Sequence, residues 1–302
     1  MKYSQTSFGI IYMALSSLSF ALMNAFVKLL SPQLSPMENI FFRSFVMVIF
    51  VLGIFAFSSP SKKEKKKGGW GKLLFRAVIG GLSMLALFYN IATIPLGTAT
   101  AFAQSVPIYT VIFSVIFLRE RPKIGVIFAT IIGFIGVVCI SNPSVGGLDS
   151  KNIFAGIFSG VSAALAFVTL RSLRDYFDER SVVFAFGITM SIIGGIGMFI
   201  SIPHLSNGWY FPTGIEWLYV FLMGLAGTFG QQFLTRAYML APAGIVAPID
   251  YSRIVWGVAL GLLLGDKFPD LVSIVGIFLI ILSGVLIALP VFLRDIKRIK
   301  DV

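Results

Sequence analysis

From Thr98 to Leu118 the chain carries no charged residue. At about 1.5 Å per residue, a helix of that length spans about 30 Å, the hydrocarbon core of a bilayer. Apolar runs of similar length recur, and we place ten spans at 8–30, 38–58, 72–92, 98–118, 123–141, 152–172, 181–201, 215–238, 243–265 and 270–293. The longest connections lie near 59–71 and 202–214, and neither can hold a soluble domain. With 57% hydrophobic and 12% charged residues, against roughly 25% charged in soluble domains, the chain reads as an all-α membrane protein with ten transmembrane helices. The first run is too long for a signal-peptide core and lacks a small-x-small cleavage site, so it is kept as a helix.

The stretch around 98–118 has an echo. Phe88–Pro122 holds a helix end, a turn at Pro95, a second helix interrupted by Pro107, and the charged stop Arg119-Glu120-Arg121. Phe233–Pro269 repeats the design with Pro242, Pro248 and Asp266-Lys267. Ala92 aligns with Ala237, Ser105 with Asp250, Gly9 with Gly156, and Phe20 with Phe167. Two five-span halves are expected, 1–148 and 149–302, and an odd number of spans inverts the second relative to the first. Orientation follows from the basic residues. Of 24 Lys and Arg, only Lys151 and Lys267 fall in the segments assigned outside, and Lys28, Arg43 and Arg253 lie within spans. The rest, including Lys62–Lys67, Lys72 and Arg76, are counted as cytoplasmic, which places both termini inside.

Several function classes lack their residues. The net charge of +11 flanks apolar segments, so it argues for a bilayer and not for nucleic acid. The single cysteine, Cys139, reads as a small buried hydrophobe, and His204, the single histidine, falls in a loop; one of each cannot make a zinc set. A GxxxxGK[ST] loop is absent, as is a buried carboxylate pair, so neither a cofactor nor an enzyme is expected. The 30 phenylalanines read as bilayer-facing bulk. The run Lys62–Lys67 reads as a topology anchor, with anionic lipid as the alternative. Glycine sets at Gly156/Gly160, Gly224/Gly227/Gly230 and Gly257/Gly261/Gly265 suit close helix packing.

Charges inside a membrane are costly and need a reason. Lys28 ends the first span and either snorkels to the interface or pairs with Asn24, which shares its face. Asp250 and Arg253 stand three apart, about 10–15 Å from the inner face, and can pair with each other or contact substrate. Arg43 lies about 8 Å from the outer face, and Glu38 is roughly 140° round the same helix, a poor partner. Arg43 therefore needs a carboxylate from elsewhere, helix-end carbonyls or a substrate anion. Tyr89, Asn90, Gln104, Tyr109, Gln231 and Tyr251 complete the candidate substrate-binding set, together with Asn24, Arg43, Asp250 and Arg253. Gln104 stands out because Pro107 disturbs its helix near the midplane.

The chain resembles the drug/metabolite transporter superfamily, in its ten-helix EamA branch. The residues carrying the likeness are Leu34-Ser35-Pro36 with Arg43, the turn at 92–101, Pro107, Glu120, and the second-half copy ending in Asp266. Asp266 stands where the pattern more often has Glu, and the second half has no counterpart of Arg43. The resemblance implies an inner-membrane permease working by alternating access on a small polar metabolite, foremost an amino acid or related compound, then nucleotide-sugar or other anionic metabolites. The rival classes are an integral-membrane enzyme acting on lipid, which would need a His, Asp or Glu cluster at one interface, and a non-transporting scaffold, which would not need Arg43, Asp250 and Arg253 inside the bilayer. A homodimer is an allowed assembly. With Glu38 and Asp250 the only carboxylates near the membrane core, facilitated diffusion or exchange is expected over proton coupling.

Overall fold

A computed structural model describes residues 4–58, 68–94, 96–142, 148–201, 203, 205–206, 208–265 and 268–300. The sequence expectations on Lys62–Lys67, His204 and Asp266 lie outside the described residues. The described elements are helical: α1 (Gln5–Leu30), α2 (Pro36–Phe57), α3 (Gly69–Thr93), α4 (Leu96–Ala103), α5 (Val106–Leu118), α6 (Ile124–Ser141), α7 (Ser150–Leu173), α8 (Glu179–Phe199), α9 (Glu216–Leu240), α10 (Ala243–Val246), a 3-10 segment (Ala247–Tyr251), α11 (Ser252–Leu263) and α12 (Leu271–Lys300). Among the described residues nine helical stretches are long and apolar enough to cross a membrane. The tenth segment, α9, has 25 residues, but Glu216, Thr228, Gln231, Gln232, Thr235 and Arg236 lower its hydropathy.

Local chemistry sets the helix ends. Pro36 occupies the first turn of α2, where its missing N–H costs nothing, and Ser35 with Glu38 forms a reciprocal cap. The Ser35 N–H and hydroxyl each donate to Glu38 Oε2 at 2.8 Å. Glu38 Oε1 also accepts from the Tyr210 N–H, which ties the segment before α9 onto α2. Glu38 is thus a buried structural carboxylate at 1% exposure. Around it, Phe42, Phe199, Trp209, Phe211 and Trp217 form an aromatic band at one end of the helices.

Two spans are broken, and each break falls at a proline. The fourth span parts into α4 and α5 at Gln104–Ser105, just before Pro107. The ninth parts into α10 and α11, with Pro248 inside the 3-10 segment between them. Proline removes one hydrogen bond and crowds the carbonyl four residues back, so the ladder yields there.

The packing has the pseudo-two-fold pattern of an inverted repeat. α1 lies against α9 and α3 against α7, contacts that exchange when the halves are swapped; α2 packs on α8 and α6 on α12. Ser83 Oγ donates to Ser159 O at 2.9 Å, and Ser159 Oγ to Ser83 O at 3.0 Å. In the matching pair, Ser16 Oγ donates to Gly230 O at 2.8 Å. Where α6 crosses α12, a Cβ on Gly136 or Gly276 would stand 2.6 Å from the other's carbonyl oxygen. Gly156 and Gly160 are filled by Phe102, Ser105 and Tyr109, and Gly224, Gly227 and Gly230 by Val46, Met23 and Phe20. Gly257 instead faces open space. Large apolar side chains such as Phe117, Phe128, Phe154 and Phe278 are exposed on the outer surface of the bundle, as lipid contact requires.

Candidate functional site

The interior charges converge from α2, α3 and the broken ninth span. Asp250 lies in the 3-10 segment, and both its carboxylate oxygens accept from Arg253 Nη2 at 2.8 Å. The tighter winding between α10 and α11 sets this pair at a helix interruption rather than on a regular helix face. Ser17 of α1 donates to Asp250 Oδ1 at 2.9 Å, and the Arg253 guanidinium lies 4.5 Å from the centroid of the Phe20 ring. The i,i+3 spacing therefore does form an ion pair, buttressed by the first half of the chain.

Arg43, 4% exposed, is different. Its nearest polar contacts are two thioethers, Met23 Sδ at 3.4 Å from Nη1 and Met84 Sδ at 3.5 Å from Nη2, and its Nε has no partner. Gly227 of α9 makes room beside it, since a Cβ there would stand 3.6 Å from Arg43 Cγ. No carboxylate among the described residues comes within ion-pair distance. A thioether is a weak acceptor on a flexible arm, so this cation is held by groups that give way easily.

The remaining sequence candidates do not form one ring. Gln231 is buried and its Nε2 lies 3.5 Å from Thr235 Oγ1. Gln104 is buried at the break between α4 and α5. Tyr109 packs over Gly160. Asn90 binds α7 at its N-terminal end: its Nδ2 donates to Asn152 O at 3.0 Å, and Asn152 Nδ2 donates to Asn90 Oδ1 at 3.2 Å and to Thr93 Oγ1 at 2.6 Å. Tyr89 belongs to the apolar cluster around Met190. Tyr251 is wedged against Gly133 of α6, in the core with Val137 and Ile280. Asn24 and Lys28 lie on the exposed face of α1, so Asn24 joins none of the interior groups.

One correction concerns Arg76, counted above with the cytoplasmic charges. α3 begins at Gly69, which carries Arg76 about 10 Å into the span, where it is 2% exposed. The sequence count grouped it with the basic loop that runs into the helix without a gap. The available signal was its place inside the 72–92 span.

At the opposite end of α7 a second set joins the two halves. Glu120 follows Arg119, whose left-handed backbone (φ 55°) ends α5. Its carboxylate accepts from the N–H groups of Ala243 and Gly244 at 3.2 and 3.3 Å, and Arg171 Nε stands 3.7 Å away. Arg171 Nη1 donates to Met239 O at 2.9 Å. Nearby, Asp295 of α12 accepts from the Ser4 N–H at 2.7 Å and the Ser7 hydroxyl at 2.6 Å.

The profile of the EamA-like transporter family matches this chain twice, over residues 7–142 and 150–289. The chain belongs to the EamA-like transporter family. Full-length relatives agree with that. An uncharacterized transporter of Helicobacter pylori is 51% identical over 97% of this chain and 98% of its own. The pseudopaline exporter CntI of Pseudomonas aeruginosa is 32% identical over 91% and 94%. An S-adenosylmethionine uptake transporter of Rickettsia bellii is 26% identical over 91% of each. One crystal structure shares the fold with a TM-score of 0.80 at 16% identity, covering 96% of this chain and 98% of its own. The EamA assignment makes the chain a multi-pass membrane transporter, and the relatives named for a cargo carry small molecules.

Proposed function

We propose that this chain is an inner-membrane permease that carries a small polar metabolite bearing an acidic group, an amino acid or related compound, by alternating access. The observation that carries this reading is Arg43: a guanidinium buried in the outer half of the bundle, facing sulfur instead of a carboxylate. Its planar fork suits a carboxylate or phosphate, and the two methionines can move aside for one. Links between the halves stand at both ends, Asn90–Asn152 outside and Glu120–Arg171 inside, so rocking one half on the other would open one end as it closes the other. Export and uptake both occur among the relatives, which makes direction a matter of gradient rather than of fold.

The test is uptake and efflux of a metabolite panel in proteoliposomes. Arg43→Lys keeps the charge and loses the fork, so it is expected to cut the transport rate at least tenfold, with abundance and melting temperature near wild type. Arg43→Ala is expected to be worse. Wild-type transport by Arg43→Ala removes the substrate role.

A further inference from the structure

Arg76 is a buried charge that the reading above does not use. Its guanidinium stands 4.6 Å from the centroid of the Phe186 ring and 5.9 Å from that of Phe167, and its Nε has no hydrogen-bond partner. No carboxylate among the described residues pairs with it. Rings return only part of the cost of holding a cation away from water. The side chain also runs along α3 towards its outer end, against the usual lean of helical side chains. It can do so because residue 80 is glycine: a Cβ there would stand 2.4 Å from Arg76 Nη1.

That direction brings it towards Arg43. Arg43 Nη2 reaches the same helix at Met84, 3.5 Å from its sulfur. Gly80 and Met84 are one turn apart, about 6 Å along the axis. Two guanidiniums from different helices thus approach one stripe of α3, neither with a carboxylate. The carboxylate of the neighbouring broken span, Asp250, is already taken by Arg253. Glu38, the buried carboxylate of α2, is held by Ser35 and Tyr210, so among the described residues Arg43 and Arg76 are left without a carboxylate.

We infer that Arg43 and Arg76 are the two prongs of one anion site, and that its ligand is a compact dianion with acidic groups about one helical turn apart, a short dicarboxylate. The inference deepens the permease reading and takes its biological meaning from it. Met23 and Met84 on one side and the Phe167 and Phe186 rings on the other fill the site with polarisable groups until the ligand replaces them.

Equilibrium binding to the purified full-length protein in detergent tests this, by titration calorimetry and thermal shift with glutarate, butyrate and glutaramide. Glutarate is expected to bind at least tenfold more tightly than butyrate, and glutaramide not at all. Arg76→Gln and Arg43→Gln are each expected to bring glutarate down to the level of butyrate. Equal or absent binding of glutarate and butyrate to the wild type overturns the proposal, and that comparison needs no variant to fold. Arg76→Gln with its glutarate preference intact makes Arg76 a packing cation and overturns it too. The permease reading fails separately: glutarate bound but no solute moved in proteoliposomes sinks transport and leaves the site. A neutral solute moved with no preference for glutarate does the reverse.

Discussion

Asp250 answers to Arg253 and Ser17 at once, so the interior depends on its charge. Asp250→Asn keeps the shape and removes the charge, leaving Arg253 with a neutral acceptor and the Phe20 ring. Breaking one side of a buried pair costs about 3 kcal/mol. The expected outcome is a clear drop in melting temperature and in membrane abundance, partly recovered in the double variant Asp250→Arg, Arg253→Asp. Normal abundance with transport lost would move the pair into the substrate site. Arg43 is expected to behave in the opposite way, because no protein carboxylate loses a partner when it is replaced. The contrast between the two residues, stability against rate, is what separates a structural charge from a ligand contact.

The broken spans show why helices in a bundle can afford prolines. Pro107 and Pro248 are themselves buried, so the breaks lie inside the protein and not against lipid. Regular helices meet by a different device, small residues at the crossing. At the α6–α12 crossing Gly136 meets the backbone oxygen of Gly276, an atom that cannot swing aside. Gly136→Ala is therefore expected to force the two helices apart and cost about 1–3 kcal/mol, read as a lower melting temperature in detergent. Gly257→Ala, on a helix face with nothing within 4 Å, is expected to leave it unchanged. Equal effects at the two sites would remove close packing as the reason for Gly136.

Across the whole molecule the two halves are joined by few polar links and much apolar surface. α1–α9, α6–α12, α3–α7 and α2–α8 carry the main contacts between halves, so each half leans on the other along the whole bundle. This arrangement fixes the sidedness of every span once one loop is placed. Reporter fusions within 59–67 and at the C-terminus are expected to read cytoplasm, and a fusion after Gly208 the outside. A cytoplasmic reading at Gly208 would break the inverted-repeat arrangement, because the segment before α9 would then stand on the wrong face. Glu120 and Asp295 belong to the inner end on this assignment, and Glu38 and Asn90 to the outer.

The membrane class, ten spans, the repeat and the basic bias of one set of loops were legible in the sequence, because each is a sum along the chain: transfer of apolar residues into lipid, or a count of charges beside a span. Pro107 marked a disturbed helix in the sequence, but proline alone does not decide a break, since Pro290 stands inside the continuous α12. The partners of the polar residues were not legible. In a span that is apolar all round, the pattern carries no phase, so nothing in it says which face turns to lipid and which to a neighbour. Asn24 turned outward, Asn90 became a clamp and Tyr251 a wedge because helix rotation and packing chose so. Arg76, counted with the cytoplasmic charges, is buried because two aromatic rings from α7 and α8 and a glycine on its own helix made a place for it. Those contacts join residues far apart in the chain, and the tertiary fold alone brings them together.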